Sequence, residues 1–151
     1  MKRVNHLPMP AEPDGPDACF CLAGRRSARF ITRIFEGHLG AVGLTSSQFS
    51  ILSILERYPD ITVVELARRM EMDRTTLVRT VRPLKDEGSV VEGREKLGRA
   101  VTLHLSAGGV TRLDEGRALW EAAQREFEER VGKLEAARFR ELALSVTSHQ
   151  D

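Results

Sequence analysis

Residues 61–88 read ITVVELARRMEMDRTTLVRTVRPLKDEG, a pattern of two short helices with a turn between them. Thr62 and Glu65 have the T-x-x-E spacing of a capping box, in which side chain and backbone satisfy each other's free N–H groups at a helix start. Val63, Leu66 and Met70 then share one face at helical spacing, and Arg68 and Arg69 lie off it. Glu71 and Met72 make the turn. Asp73 suits the N-cap of the second helix, its carboxylate accepting from the N–H of Thr75 or Thr76. Leu77, Val78, Val81 and Leu84 are expected to form the buried stripe of that helix, leaving Arg74, Thr75, Thr76, Arg79, Thr80 and Arg82 on the other side. Pro83 removes the hydrogen bond to the carbonyl of Arg79 and is expected to kink the helix. Gly88 supplies the C-terminal cap. The unit is a helix-turn-helix whose second helix presents arginines.

That inventory suits DNA, because a guanidinium pairs with guanine edges or phosphates and short hydroxyls bond bases or backbone. A charged helix face is ordinarily just a solvated face, so the distribution of charge matters. Residues 66–85 carry six basic side chains (Arg68, Arg69, Arg74, Arg79, Arg82, Lys85) against two acids (Glu71, Asp73), on a chain of net charge +1. Residues 101–151 carry seven bases against nine acids. The positive surplus is local, as a DNA footprint requires.

Residues 89–92 read as a short strand, GREKLG at 93–98 as a glycine-bounded basic turn, and AVTLHL at 100–105 as an alternating strand returning. Helix, helix, hairpin is the order of a winged helix. Its tip offers Arg94, Lys96 and Arg99, cations long enough to track phosphates or enter a minor groove beside the site read by the helix.

With GLTSSQFSIL at 43–52, VVELARRMEMDRTTLVRTVRPLKDEG at 63–88 and LSAGG at 105–109, the chain resembles the MarR family of transcriptional regulators from about Cys19 to Val146. The resemblance implies terminal helices interleaved between two subunits, a ligand-free protein that represses, and release by small aromatic or phenolic acids. The family usually carries an Asp-x-Arg pair in the wing. Here Leu97 stands at the aspartate position and Arg99 at the arginine position, with Glu95 as a substitute support. Arg99 keeps its expected minor-groove role without the usual partner.

The expected architecture is mostly α with a small β-wing: a winged helix-turn-helix flanked by long N- and C-terminal dimerisation helices. Residues 1–16, with four of the six prolines, read as a flexible arm; 17–44 as the N-terminal dimerisation helix; 45–105 as the DNA-binding lobe; 106–151 as the C-terminal dimerisation helices. The first long helix places Phe20, Ser27, Ile31, Ile34 and His38 near one stripe, broadened by Phe30 and Phe35. Leu113, Trp120, Phe127 and Leu134 recur every seven residues, with Gly116 and Ala123 between them, and a last helix over 135–146 adds Phe139, Leu142 and Val146. Such seams suit packing on other helices. They carry more apolar surface than so small a winged helix covers, which points to a homodimer. Two recognition helices held ~34 Å apart would then read an inverted repeat in double-stranded DNA. Phe30, Ile34, His38, Phe49 and Trp120 are the expected lining of an effector pocket between dimer helices and DNA lobe.

Cys19 and Cys21, at i and i+2 of the expected helix, point apart, which disfavours an internal disulfide. The bland expectation for each is a small buried apolar residue, and the alternative is a redox-responsive regulator oxidised across subunits. His6, His38, His104 and His149 are scattered without ligand spacing, so no metal and no cofactor are expected. No phosphate-binding glycine loop, nucleophile elbow or metal-binding histidine pair is present, which argues against an enzyme. No stretch approaches ~18 consecutive apolar residues, and none reads as a signal peptide, so the expected location is cytoplasmic with no membrane partner. The rival to DNA binding is a winged helix used for protein–protein contact.

Overall fold

The structure, a computed structural model, describes residues 11–93, 98 and 100–148. Its elements run α1 (Phe20–Leu39), α2 (Ser46–Arg57), β1 (Ile61–Thr62), α3 (Val63–Arg69), α4 (Arg74–Asp86), β2 (Val90–Glu92), β3 (Thr102–Leu105), α5 (Ala107–Val131) and α6 (Lys133–Ser148), with 3-10 turns at Gly15–Ala18 and Gly40–Val42. The expected helical architecture with a small sheet is what forms.

Helix starts follow the capping residues. Thr45 and Gln48 form a complete capping box at α2, the hydroxyl accepting from the Gln48 N–H at 3.1 Å and the amide oxygen from the Thr45 N–H at 3.0 Å. Ser106 opens α5 by accepting from the Gly109 N–H at 3.0 Å. The first long helix begins three residues later than expected. Asp14 accepts from the Gly15 N–H at 2.6 Å and closes the 3-10 turn, so the supposedly unstructured arm ends in regular backbone. Cys19, extended at φ −81°, ψ 112°, is therefore the N-cap of α1 rather than a helical residue, its Sγ accepting from the Leu22 N–H at 3.4 Å. Residues 1–10 of the arm lie outside the described residues.

The sheet has order β1-β3-β2, both pairings antiparallel. β2 and β3 make the expected hairpin, with Val90 opposite Leu105, Val91 opposite His104 and Glu92 opposite Leu103. β1 is an addition: Ile61 pairs with Leu103 and Thr62 with Thr102. Two residues are too few to show alternation, so nothing in the sequence announced this strand. The Val63 N–H extends the tie by donating to the Val101 carbonyl at 3.0 Å. The root of the wing is thus bonded to the start of α3.

Leu52, Leu55, Leu66, Leu77, Leu84 and Leu113 are fully buried and bring α2, α3, α4 and α5 onto one core. Val78 does not join them: it is 52% exposed, a correction to the expected buried stripe. At about 100° per residue, position 78 lies well round the helix from Leu77, Val81 and Leu84. α1 lies along α5, its largest contact. Where α5 crosses α2, Gly116 leaves room for the Phe49 ring, whose Cδ2 and Cε2 would stand 2.8 and 2.9 Å from a Cβ placed there.

The expected heptad seam is broken at Gly132 (φ 94°), which ends α5 and leaves Leu134 on α6. Leu113, Gly116 and Ala123 are buried within the chain, whereas Trp120 is 37% and Leu134 57% exposed. On α6 Leu142, Leu144 and Val146 are all exposed, and Phe20 at the start of α1 is almost fully so. Among the described residues no single helix is long and apolar enough to cross a membrane.

The two glycines opening α5 differ sharply in their surroundings. A Cβ on Gly109 would stand 2.1 Å from the Ser89 carbonyl oxygen, backbone that cannot swing aside, whereas one on Gly108 meets nothing closer than 3.5 Å. Gly109→Ala is expected to lower stability in urea unfolding by ~1–3 kcal/mol, the usual cost of overpacking. Gly108→Ala should leave the midpoint nearly unchanged, and equal effects would contradict this packing.

Candidate nucleic-acid interface

The helix-turn-helix is built by local hydrogen bonds that also decide which charges it presents. At α3 the Thr62 hydroxyl accepts from the Glu65 N–H at 3.1 Å, half of the expected capping box. The Glu65 carboxylate turns the other way, to Arg68 Nε and Arg69 Nε, both at 2.9 Å. Two guanidiniums at i+3 and i+4 offer it charge-assisted bonds, which outcompete a neutral backbone N–H. The Arg68 hydrogen bond, with the charges of both arginines, holds the Glu65 carboxyl below its usual range. Arg69 also lies over the Tyr58 ring, its Cζ 4.0 Å from the centroid.

The turn is made by Glu71 in the left-handed region (φ 50°) and Met72. Asp73 then caps α4 through a single residue, Thr76: Oδ1 accepts from its N–H at 2.8 Å and Oδ2 from its hydroxyl at 2.6 Å. The hydroxyl bond first, and the N–H bond next, hold the Asp73 carboxyl below its ordinary value of 3.8. Thr76 thus spends its hydroxyl proton on the cap and offers DNA only a lone pair. At the other end Gly88 (φ 81°) closes a Schellman turn, its N–H donating to the Lys85 carbonyl at 3.0 Å and that of Ser89 to the Leu84 carbonyl at 2.9 Å. α4 continues through Pro83 without interruption.

Arg74, Thr75, Arg79 and Arg82 are exposed on α4. Among the described residues none of the three arginines has an ion-pair partner, in contrast to Arg68 and Arg69 on Glu65 and to Lys85, whose Nζ lies 2.5 Å from the Glu92 carboxylate in β2. The six local cations therefore divide: three are tethered within the lobe and three are presented outward. Arg94, Lys96 and Arg99, together with Leu97 and Glu95, lie outside the described residues. The β2–β3 hairpin is tied at its base to α4 by the Lys85–Glu92 pair.

The five expected pocket residues do not share one cavity. Phe49 and Trp120, stacked with centroids 6.0 Å apart, line a cleft of about 620 Å3 between α2, α3 and α5. Phe30, Ile34 and His38 line a separate one of about 420 Å3 between α1 and α5. The first contains polar residues that periodicity did not single out: Arg69 and Arg117 with Ser50, Ser53 and Glu121. The second is closed by a network in which Glu126 meets His38 Nε2 at 2.6 Å and Arg130 Nη2 at 2.5 Å. These bonds, that of His38 foremost, hold the Glu126 carboxyl below its usual range. Both cysteines are exposed, contrary to the expectation of small buried residues. Cys19 precedes the helix and Cys21 occupies its open first turn, where neither is covered.

A carboxyl depressed by folding stabilises the fold fully above its ordinary pKa and loses that contribution as pH falls through its folded value. Asp73→Ala should therefore lower Tm by a constant amount near neutrality. The gap should begin to narrow as pH falls past 3.8, the ordinary value, and close only lower, as the folded cap itself becomes protonated. A gap persisting undiminished at lower pH would contradict an ionised cap.

Residues 42–99 match the model of the MarR family. Among solved structures, the transcriptional regulator MosR of M. tuberculosis is 30% identical over 89% of this chain and 98% of its own, with a TM-score of 0.74, and has also been solved with DNA. CouR of Rhodococcus jostii RHA1, a transcriptional repressor bound to a 23-mer DNA duplex, shares the fold at 21% identity, over 86% of this chain and 93% of that one (TM-score 0.76). NadR in complex with 4-hydroxyphenylacetate does so at 20%, over 94% and 100% (TM-score 0.73). Among curated proteins the sequence finds no match. A winged helix-turn-helix with outward arginines, the family model and the identity to MosR lead to one conclusion: the chain belongs to the MarR family of transcriptional regulators, not to an enzyme family.

Proposed function

We propose that this protein is a homodimeric, sequence-specific regulator acting in the cytoplasm, a repressor released from an inverted-repeat operator by a small aromatic ligand. The observation that carries the DNA reading is the set Arg74, Arg79 and Arg82, without ion-pair partners among the described residues, with Thr75, on the exposed face of α4. Unpaired guanidiniums reach base edges and phosphates without first breaking an internal ion pair. MosR and CouR, both solved with DNA, support the same use of this fold.

The dimer reading rests on uncovered apolar surface. Phe20, Leu134, Leu142, Leu144 and Val146 all stand more than half exposed, at the outer ends of α1 and along α6. A patch of large apolar side chains on a monomer marks a surface awaiting a partner, and a second copy covers both ends at once. In that assembly Arg74, Thr75, Thr76, Arg79 and Arg82 contact the major groove, and Arg94, Lys96 and Arg99 the flanking backbone or minor groove.

For the effector, the cleft of about 620 Å3 is the better site. It joins α3 of the DNA lobe, through Arg69 and Met70, to α5, through Arg117 and Trp120. An aromatic acid would lay its ring beside Trp120 and its carboxylate on Arg117, competing with Glu56 of α2, which the guanidinium holds at 2.6 Å, and so shifting the tie between α2 and α5. Preference for one state of that tie is the differential affinity a switch needs. NadR with 4-hydroxyphenylacetate and CouR with p-coumaroyl-CoA are aromatic-ligand cases on this fold. Phe30, Ile34 and His38 then act behind it, where Glu126 joins His38 of α1 to Arg130 of α5.

A second reading has its own observation. Both thiols are exposed and Cys19 caps α1, so oxidation there would disturb the start of a dimer helix. Unchanged operator affinity after peroxide treatment excludes it.

Arg79→Ala is expected to cost ~1–3 kcal/mol of binding and to relax base preference at one position of each half-site. Equal losses on every duplex would contradict base readout, and binding without salt dependence would favour the protein-contact alternative. The chain has one tryptophan, so Trp120 reports the cleft directly. Phenolic acids should quench its fluorescence and release DNA, and Arg117→Ala should weaken both. Quenching without release would separate binding from regulation.

A further inference from the structure

Val78 is the one side chain on α4 whose chemistry contradicts its surroundings. It is 52% exposed, yet its helical neighbours at i−4, i−3 and i+4 are Arg74, Thr75 and Arg82, members of the presented polar face. Its other flank lines a small cavity of about 170 Å3 beside α4, walled by Val63, Val81 and Leu103 and by the charged Arg74, Lys85 and Glu92. A β-branched side chain on a helix keeps one strongly preferred χ1 rotamer, so Val78 presents a fixed apolar surface outward.

In the major groove each base pair offers hydrogen-bonding groups, and the apolar one is the C5-methyl of thymine. A stiff valine among arginines and a threonine finds its match in that methyl. We propose that Val78 is a specificity-determining residue of the recognition helix, selecting thymine over cytosine by burying its C5-methyl against the valine. This rests on the DNA-binding reading above. Arg79 and Arg82 select by donating to acceptors; Val78 selects by excluding water from a methyl group, and carries little dependence on salt.

The test uses the full chain and the highest-affinity duplex recovered by selection from a random-sequence pool. Each thymine is replaced in turn by uracil, which removes the methyl and leaves every hydrogen-bonding group. Uracil at one position of each half-site should weaken wild-type binding by roughly three- to tenfold, the scale expected for withdrawing one methyl-sized group from apolar contact. Val78→Ser and Val78→Asn, which put a polar group where the valine methyls stood, should bind the thymine and uracil duplexes equally. The two differ in size, so one reports even if the other folds poorly. A wild-type protein indifferent to uracil everywhere, or variants that keep the wild-type sensitivity, would overturn the proposal while leaving DNA binding intact. A pool that yields no enriched duplex would overturn the DNA reading and the proposal with it.

Discussion

The contact on which the arrangement depends is that of the Phe49 ring with the backbone of α5 at Gly116. Phe49 belongs to α2, the first helix of the DNA lobe, and is buried; α5 leaves the wing strand at Ser106 and continues for 25 residues along α1. Any side chain at position 116 would push α2 and α5 apart. Because the two helices touch there, the attitude of the DNA lobe to the long helices is set by packing rather than by a flexible link. Close-packed interfaces of this sort shift between discrete arrangements rather than deform smoothly. The cleft proposed for an effector adjoins the contact, with Trp120 stacked on the same phenylalanine.

Electrostatics divides the labour within the lobe. Glu65 gathers Arg68 and Arg69, Tyr58 takes the face of Arg69, and Glu92 holds Lys85, so these cations brace α3 and the wing. Exposed pairs contribute little stability singly, and their larger effect is on geometry. Lys85–Glu92 ties α4 to β2, and Arg69 on Tyr58 ties the end of α3 to the end of α2. Arg74, Arg79 and Arg82, left without such partners among the described residues, remain available to an external polyanion. A net charge of +1 conceals this sorting completely.

Much of the fold was legible because local chemistry and global packing agree. Asp73 and Thr62 cap where their positions before apolar-periodic segments said they would, and Leu66, Leu77, Val81 and Leu84 are buried as their spacing required. Val78 was misread because a valine beside a buried stripe satisfies the same periodicity from its edge. Glu65 was misread because a capping box and a salt-bridge fork use the same carboxylate, and two nearby arginines decided between them. β1 left no periodic trace. The effector residues were expected in one pocket because hydrophobic spacing assigns faces of helices, not which two helices enclose a space. Phe30, Ile34 and His38 face α5 from α1, whereas Phe49 and Trp120 meet on the far side, where α2 crosses. Cys19 and Cys21 escaped because the helix begins at Phe20, past the first of them.

In the proposed dimer the long helices hold two recognition helices at one fixed separation on DNA. Affinity measured on duplexes that carry the two selected half-sites at increasing centre-to-centre distance reads that separation. Affinity should peak near one helical turn, about 10–10.5 base pairs, and fall steeply when roughly half a turn is inserted, because the second helix then faces the wrong side of the duplex. Affinity indifferent to the separation would contradict the account, since each lobe would then bind DNA independently of its partner.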